Sequence, residues 1–294
     1  MYDEMDSPSR NDACWCGSGK KYKKCHLHID ERLQELYELG EEVPYRNLLK
    51  TAQDIEGIKR SAEVNIGALD YVAEHIQVGT TTEENDQWVY DYCIKHDAIP
   101  ADLNFEGYPK SVCTSINEVV CHGIPSADDV LKEGDIINVD MSTIKDGYFS
   151  DSSRMFCMGE VSKEKKRLVE ITRRAVEAGL DAVKPWCHLG DVSAAVNKVA
   201  VDAGYSVVAE FGGHGIGLEF HEDPFVSFVA RAGTGPILAP GMCFTIEPMV
   251  NMGKAAIDMS DPNGWTVRTA DGKPSAQWEV QLVVTETSYE LLSW

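Results

Sequence analysis

The 294-residue sequence predicts an α+β fold of two repeated halves behind a small N-terminal metal-binding module, and three features carry that expectation. Two pairs of helical segments each precede a set of strands. Each strand set carries acidic or imidazole side chains inside apolar or glycine-rich stretches. A short cysteine-rich array stands ahead of both.

The array comes first. Residues 12–26 read DACWCGSGKKYKKCH, which places Cys14, Cys16, Cys25 and His26 within one short loop. Three thiols and an imidazole can close a tetrahedral zinc site, and so small a segment can scarcely fold without one. Cys14 and Cys16 are too close in sequence to pair comfortably as a disulfide. Arg10, Lys20, Lys21, Lys23 and Lys24 stand against Asp12 here, a local charge of +4 in a chain whose net charge is −21. A basic face carrying Trp15 and Tyr22 suits an acidic protein or ribosomal RNA; the same lysines also serve simply to keep a small module soluble. Both readings stand at this point.

Residues 29–50 follow, with Leu33, Leu36 and Leu39 at helical spacing and Gly40 and Pro44 ending the run. They predict a linker helix and an extended arm that packs on the main domain. The chain therefore divides into a zinc-binding module (1–28), a linker (29–50) and a main domain (51–294).

The main domain opens with a helical pattern over 53–76, closed by Val78-Gly79-Thr80-Thr81, and a second helix to about His96. Its counterpart runs over 163–184, closed by Lys184-Pro185; after Leu189-Gly190-Asp191 a further helix reaches about Gly204. Helix pairs covering one face of a curved antiparallel sheet, with the functional site in its concavity, fit this order. Between the pairs lies GDIINVDMSTIKDGYFSDSSRMF. Ile136, Ile137, Val139 and Met141 mark a buried strand, Lys145-Asp146-Gly147 a tight turn, and Tyr148 to Phe156 the returning strand. A turn centred between Lys145 and Asp146 sets Asp140 nearly opposite Asp151, within a one-residue slip. Two facing carboxylates repel, and a cation between them relieves the repulsion; either carboxylate alone would read as structural.

The second half adds three candidates. FGGHGIGLEFHEDP carries His214 and His221 among glycines that let backbone approach closely. APGMCFTIEPMV places Glu247 between Ile246 and Pro248 at a strand end, where a carboxylate needs a cation or a donor. SAQWEVQLVVTE puts Glu279 on an alternating strand opposite Trp278, Val280, Leu282 and Val284, an alternation that equally allows a solvated Glu279. Asp140, Asp151, His214, Glu247 and Glu279 together form a hard, oxygen-rich donor set. Such a set suits two divalent ions with bridging carboxylates, Mn, Fe or Co ahead of a thiolate-loving metal, with Zn as a further candidate.

GYPKSVCTSINEVVCHGIP, NVDMSTIKDGYFSD, GHGIGLEFHEDP, FTIEPM and SAQWE, in this order and spacing, resemble the methionine aminopeptidases of the bacterial type I class. The resemblance runs from about Thr51 to the C-terminus. Only 31 residues separate Glu247 from Glu279, too few for the helical insert of the type II enzymes. It implies a pita-bread fold with pseudo-twofold symmetry. It also implies that Asp140 chelates one ion, that His214 and Glu247 hold the other, and that Asp151 and Glu279 bridge both. By the same resemblance a dimetal-bound hydroxide attacks the first peptide bond, Glu247 shuttles its proton, His221 stabilises the oxyanion and His122 hydrogen-bonds the scissile amide. Tyr108, Cys113, Phe220 and Trp265, with Phe105 close by, would line the methionine pocket. The chain departs from the family at Phe105, where Tyr is frequent, and at Asp102, where Cys is frequent. The cysteine array resembles the SEC-C motif, which in other settings engages partner proteins.

The implied substrate is the N-terminal methionine of nascent polypeptides, with the ribosome or another protein as partner of the module. X-Pro peptidases share the fold but generally lack the GYPKSVCTSINEVVCHG stretch. A non-catalytic relative would have lost ligands, and all five are present. No apolar run approaches 18 residues, MYDEMDSPSRND lacks a signal pattern, and the nine cysteines are mostly isolated in core-like segments. A cytoplasmic, monomeric enzyme with no membrane contact is expected.

Overall fold

The computed structural model describes residues 8–294; the first seven residues of the N-terminal module lie outside it. The module is a turn-rich loop closed by a bridge between Ala13 and Lys21 and by a single 3-10 turn, Tyr22–Lys24. It runs without a break into helix α1 (Leu27–Glu38), whose N-cap is His26. Leu33 and Leu36 are buried, but Leu39 is 76% exposed. The helical spacing stops one residue earlier than the leucines suggest, because Leu39 is the C-cap and Gly40, at φ 88°, reverses the chain. The arm then lies against the main domain: Ile237 N donates to Glu42 O, Leu49 bridges Met242, and Lys50 N donates to Gly241 O.

Two helix pairs follow where expected. Helices α2 (Ala52–His75) and α3 (Thr82–Lys95) each begin on a threonine N-cap with a reciprocal acidic partner, Thr51 with Asp54 and Thr81 with Glu84. Helices α4 (Lys163–Ala182) and α5 (Leu189–Asp202) form the second pair. Leu189-Gly190-Asp191 is the first turn of α5 and not a lead-in, since Asp191 caps back to His188 N at 3.1 Å.

All strand pairings are antiparallel among the described residues. The first half contributes β1 (Cys113–Ile116), β2 (Ile136–Lys145) and β3 (Tyr148–Cys157), with β2 between the other two. The second contributes β4 (Gly213–Gly215), β5 (Glu222–Val226), β6 (Cys243–Ile246), β7 (Met249–Asn251), β8 (Ser275–Gln277), β9 (Val280–Val284) and β10 (Tyr289–Ser293). A five-stranded sheet runs β10-β9-β6-β4-β5, and a bridge from Ser153 to Glu279 ties it to the first-half hairpin. Each helix pair covers its own half: Val64, Leu69 and Val72 of α2 pack on Ile137, Val139 and Met141. Leu168, Val176 and Val196 of the second pair pack with Phe244 and Ile246 in a larger core, which also receives Ile29 and Leu33 of α1.

The hairpin register corrects the sequence expectation. Asp146 and Gly147 are the two central turn residues, at φ 54° and 83°, as a type I′ turn requires. The turn is thus centred one residue later than expected. Asp140 pairs with Ser153 and Asp151 with Ser142. The two carboxylates are diagonal neighbours on one face of the sheet, not opposite each other.

Candidate metal centre and substrate cavity

The five predicted ligands converge from both halves. Asp140 and Asp151 come from the β2–β3 hairpin, His214 from β4, Glu247 from the end of β6, and Glu279 from the residue before β9. Period-two alternation aims each at the same cavity. Ligand atoms of Asp151, His214 and Glu279 lie within 4.8 Å of one another. His214 Nε2 stands 3.7 Å from Asp151 Oδ2 and 3.5 Å from Glu247 Oε1. The glycines flanking His214 permit the approach: a Cβ on Gly213 would meet Thr245 O at 2.4 Å, and one on Gly215 would meet Asp223 O at 2.1 Å.

His214 is held in one tautomer. Its Nδ1 lies 3.0 Å from Gly215 O, an oxygen that can only accept, so Nδ1 carries the proton and the Nε2 lone pair faces the carboxylates. Burial, reinforced by His221, brings its pKa down to about 3. The carboxyls shift the other way. Burial raises Asp140 to about 6 and, with the Asp140 charge, Glu247 to about 8; Asp151 and Glu279 lie well above the usual carboxylate range for the same reasons. Glu279 is raised first by burial and then by the charges of Asp151, Glu247 and Asp140 around it. Asp151 Oδ1 and Glu279 Oε1 are buried with no hydrogen-bond partner. Four clustered carboxyls, two of them with orphaned oxygens, fit divalent cations, whose charge would offset that crowding and satisfy those oxygens.

One cavity of about 1080 Å³ contains all five ligands. The expected pocket residues Phe105, Tyr108, Cys113, Phe220 and Trp265 line it too, together with His122 and His221. Phe105 meets Phe220 edge-on at 4.7 Å, and Tyr108 meets Trp265 edge-on at 5.1 Å. The Tyr108 hydroxyl is turned away, to Val112 O and Gly123 O, so its ring edge and not its oxygen is the wall. His122, at φ 55°, abuts Phe211, and burial takes its pKa down to about 4, so it remains a neutral imidazole near pH 7. The His221 ring centroid is 4.3 Å from that of His214. Asp102 also lines the cavity, accepts from Ser142 N at 3.0 Å and is pushed well above its ordinary range by burial beside Asp140.

Sequence reasoning missed two supporting residues. Thr245 Oγ1 donates to Glu247 Oε1 at 2.7 Å and accepts from His214 N at 3.0 Å. Gln277 Nε2 reaches Glu247 Oε2 at 3.3 Å and Asp140 Oδ2 at 3.4 Å. Each precedes a ligand by two residues on a strand, so strand alternation alone was a usable signal for both.

The N-terminal array is a second cluster. Donor atoms of Cys14, Cys16, Cys25 and His26 lie within 4.8 Å of one another, with His26 Nδ1 3.2 Å from both Cys14 Sγ and Cys25 Sγ. This compact soft set fits a tetrahedral zinc ion. Its aromatics do not face a partner. Trp15 packs on the main core and donates to Asp30 at 3.0 Å; Tyr22 is buried and donates to the same carboxylate. Asp30 also accepts from Arg46 of the arm at 3.2 Å. The expected aromatic-basic face therefore reduces to its cations: Arg10, Lys20, Lys21, Lys23 and Lys24 are exposed.

Comparison with known proteins places both parts. Residues 56–286 match the model of metallopeptidase family M24, and residues 10–27 match the SEC-C motif. The methionine aminopeptidase of Chlamydia trachomatis serovar D is 42% identical, over 97% of this chain and 98% of its own length. That of Escherichia coli K12 is 44% identical, over 83% and 93%. The crystal structure of methionine aminopeptidase from Rickettsia prowazekii superposes with a TM-score of 0.82 at 41% identity, covering 84% of this chain and 99% of that one.

Proposed function

The chain belongs to metallopeptidase family M24, and from that premise we propose that it is a methionine aminopeptidase of the cytoplasm. It removes the N-terminal methionine of nascent polypeptides when the second residue is small. The observation that supports this most is that one cavity joins the carboxylate–histidine cluster to a wall of aromatic rings and the Cys113 thiol. Ring edges and sulfur suit a thioether side chain, and the ligand cluster sits where the following peptide bond would lie.

Asp140, Asp151, His214, Glu247 and Glu279 would hold two divalent ions. Such ions, once bound, supply a water ionised near neutral pH and a polarised scissile carbonyl. The protein's own groups do the rest. Glu247, braced by Thr245 and Gln277, takes the proton of the attacking water and passes it towards the leaving amine. His221 donates to the oxygen that gains charge as the carbonyl carbon becomes tetrahedral. His122, neutral because it is buried, keeps one N–H to orient the scissile amide. Cys14, Cys16, Cys25 and His26 hold a structural zinc, and the exposed cations beside it form the face that meets the ribosome or another acidic partner.

Steady-state release of methionine from Met-Gly-x, Met-Ala-x and Met-Leu-x peptides, with x-Pro-x as control, tests the reading. Efficient cleavage of the first two and rejection of the others is expected. Release from Met-Leu-x at a comparable rate, equal release of N-terminal Leu, or preference for x-Pro would overturn it.

A further inference from the structure

The loop that presents Phe220 and His221 between β4 and β5 has no regular structure of its own, yet its conformation decides where the His221 ring stands. Glu222, at the loop's end, folds back on it: one carboxylate oxygen accepts from Leu218 N at 2.8 Å and Glu219 N at 3.0 Å. The other oxygen is taken by the Lys50 ammonium, 172 residues away in sequence. Both side chains are buried, 1% exposed for Lys50 and 9% for Glu222. Phe220 and His221 lie inside the turn so closed.

Lys50 is itself fixed. Its N–H donates to Gly241 O, Leu49 before it bridges Met242, and Thr51 after it caps α2. The loop closes against its stem: a Cβ on Gly217 would stand 3.0 Å from Lys50 Cε and 2.6 Å from Ile58 Cδ1, and Gly217 O accepts from Phe149 N at 2.9 Å. Glu222 lines the substrate cavity and Lys50 does not. The lysine therefore reaches substrate only through the carboxylate it holds.

We propose that Lys50 is a positioning residue for His221, acting through Glu222, so that the last residue of the N-terminal arm sets the geometry of the active-site loop. This deepens the hydrolytic reading and rests on it. Removing the ammonium leaves Glu222 without its cation in a buried place, and the turn over 218–222 relaxes. A displacement of His221 by about 1 Å is enough to cost roughly a hundredfold in turnover.

The test is a double-mutant cycle on full-length, metal-loaded enzyme with a Met-Ala-x peptide. Lys50→Met is expected to lower kcat roughly ten- to a hundredfold with KM little changed and two catalytic ions retained. In a His221→Ala background the same change is expected to cost almost nothing, because the group it positions is gone. Should Lys50→Met fold poorly, Lys50→Met/Glu222→Gln removes both charges together, leaves none stranded and enters the same cycle. Equal losses in both backgrounds would show a merely structural pair and overturn the proposal, as would unchanged kcat. If the wild type releases no methionine, the hydrolytic reading has failed. If it cleaves and Lys50→Met matches it, only the positioning role has.

Discussion

The carboxylate site draws its donors from strands as far apart as Asp140 and Glu279, whereas the thiol site finds all four between Cys14 and His26. In the first, two helix pairs and a paired sheet bring the ligands together, with Glu247 braced by Thr245 and Gln277 and Asp140 by Gln277. The scaffold is held by its own helices, sheet and apolar core and sets like charges side by side, an arrangement that favours cations. In the second there is almost no scaffold: one 3-10 turn, one bridge and positive-φ glycines at 17 and 19. There the ion would do the folding. A site built by the fold is open to substrate and chemistry; a site that builds the fold is closed.

The largest expected effect tests the first half of that contrast. Asp151→Asn removes a charge from the centre of the carboxylate cluster while keeping its shape. Turnover should fall by orders of magnitude and at least one catalytic ion should be lost, yet the melting temperature should hold and the module should keep its zinc. Metal stoichiometry and activity at limiting metal measure both. Near-normal turnover there would reject a bridging role for Asp151.

A smaller effect tests the other half. Cys16→Ser takes one ligand from the thiol set, at a half-buried position. Limited trypsin digestion should then cut rapidly among Lys20, Lys21, Lys23 and Lys24, while peptide hydrolysis stays within a few-fold of wild type. Loss of activity in step with loss of the module's protease resistance would mean that the two sites are one cooperative unit.

The same contrast explains how much was legible in the sequence. Short-range features read well. The two helix pairs follow from local periodicity, although the threonine caps at Thr51 and Thr81 went unread, and the thiol set is visible in fifteen residues. The five candidate ligands stand out because each is a charged or imidazole group in an apolar or glycine-rich stretch. What failed depended on an exact count or on a distant partner. The hairpin register moved by one turn residue because both central positions need positive φ, and Asp146 tolerates it where Lys145 does not. Trp15 and Tyr22 looked like a binding face, but Asp30 and the main core turn them inward. The Lys50–Glu222 pair had no sequence signal at all, since nothing near either residue hints at the other.

Deleting residues 1–28 is the mildest perturbation, and it separates module from arm. The deletion removes the thiol set, Trp15 and Tyr22, and shortens α1 by its first two residues. It leaves Leu33 in the core, Arg46 beside Asp30, and Lys50 on Glu222. None of the lost groups lines the catalytic cavity. Cleavage of short Met-Ala-x peptides should therefore stay within a few-fold of the full chain, with one zinc fewer and both catalytic ions kept. Association with ribosomes, if the exposed cations carry it, should disappear in the shortened protein and be salt-sensitive in the full one. Extending the deletion through Lys50 should cost far more, because it takes away the ammonium that holds the His221 loop. If the first deletion already removes most short-peptide turnover, the module itself completes the active site, and the contrast between a site made by the fold and a site that makes it no longer holds.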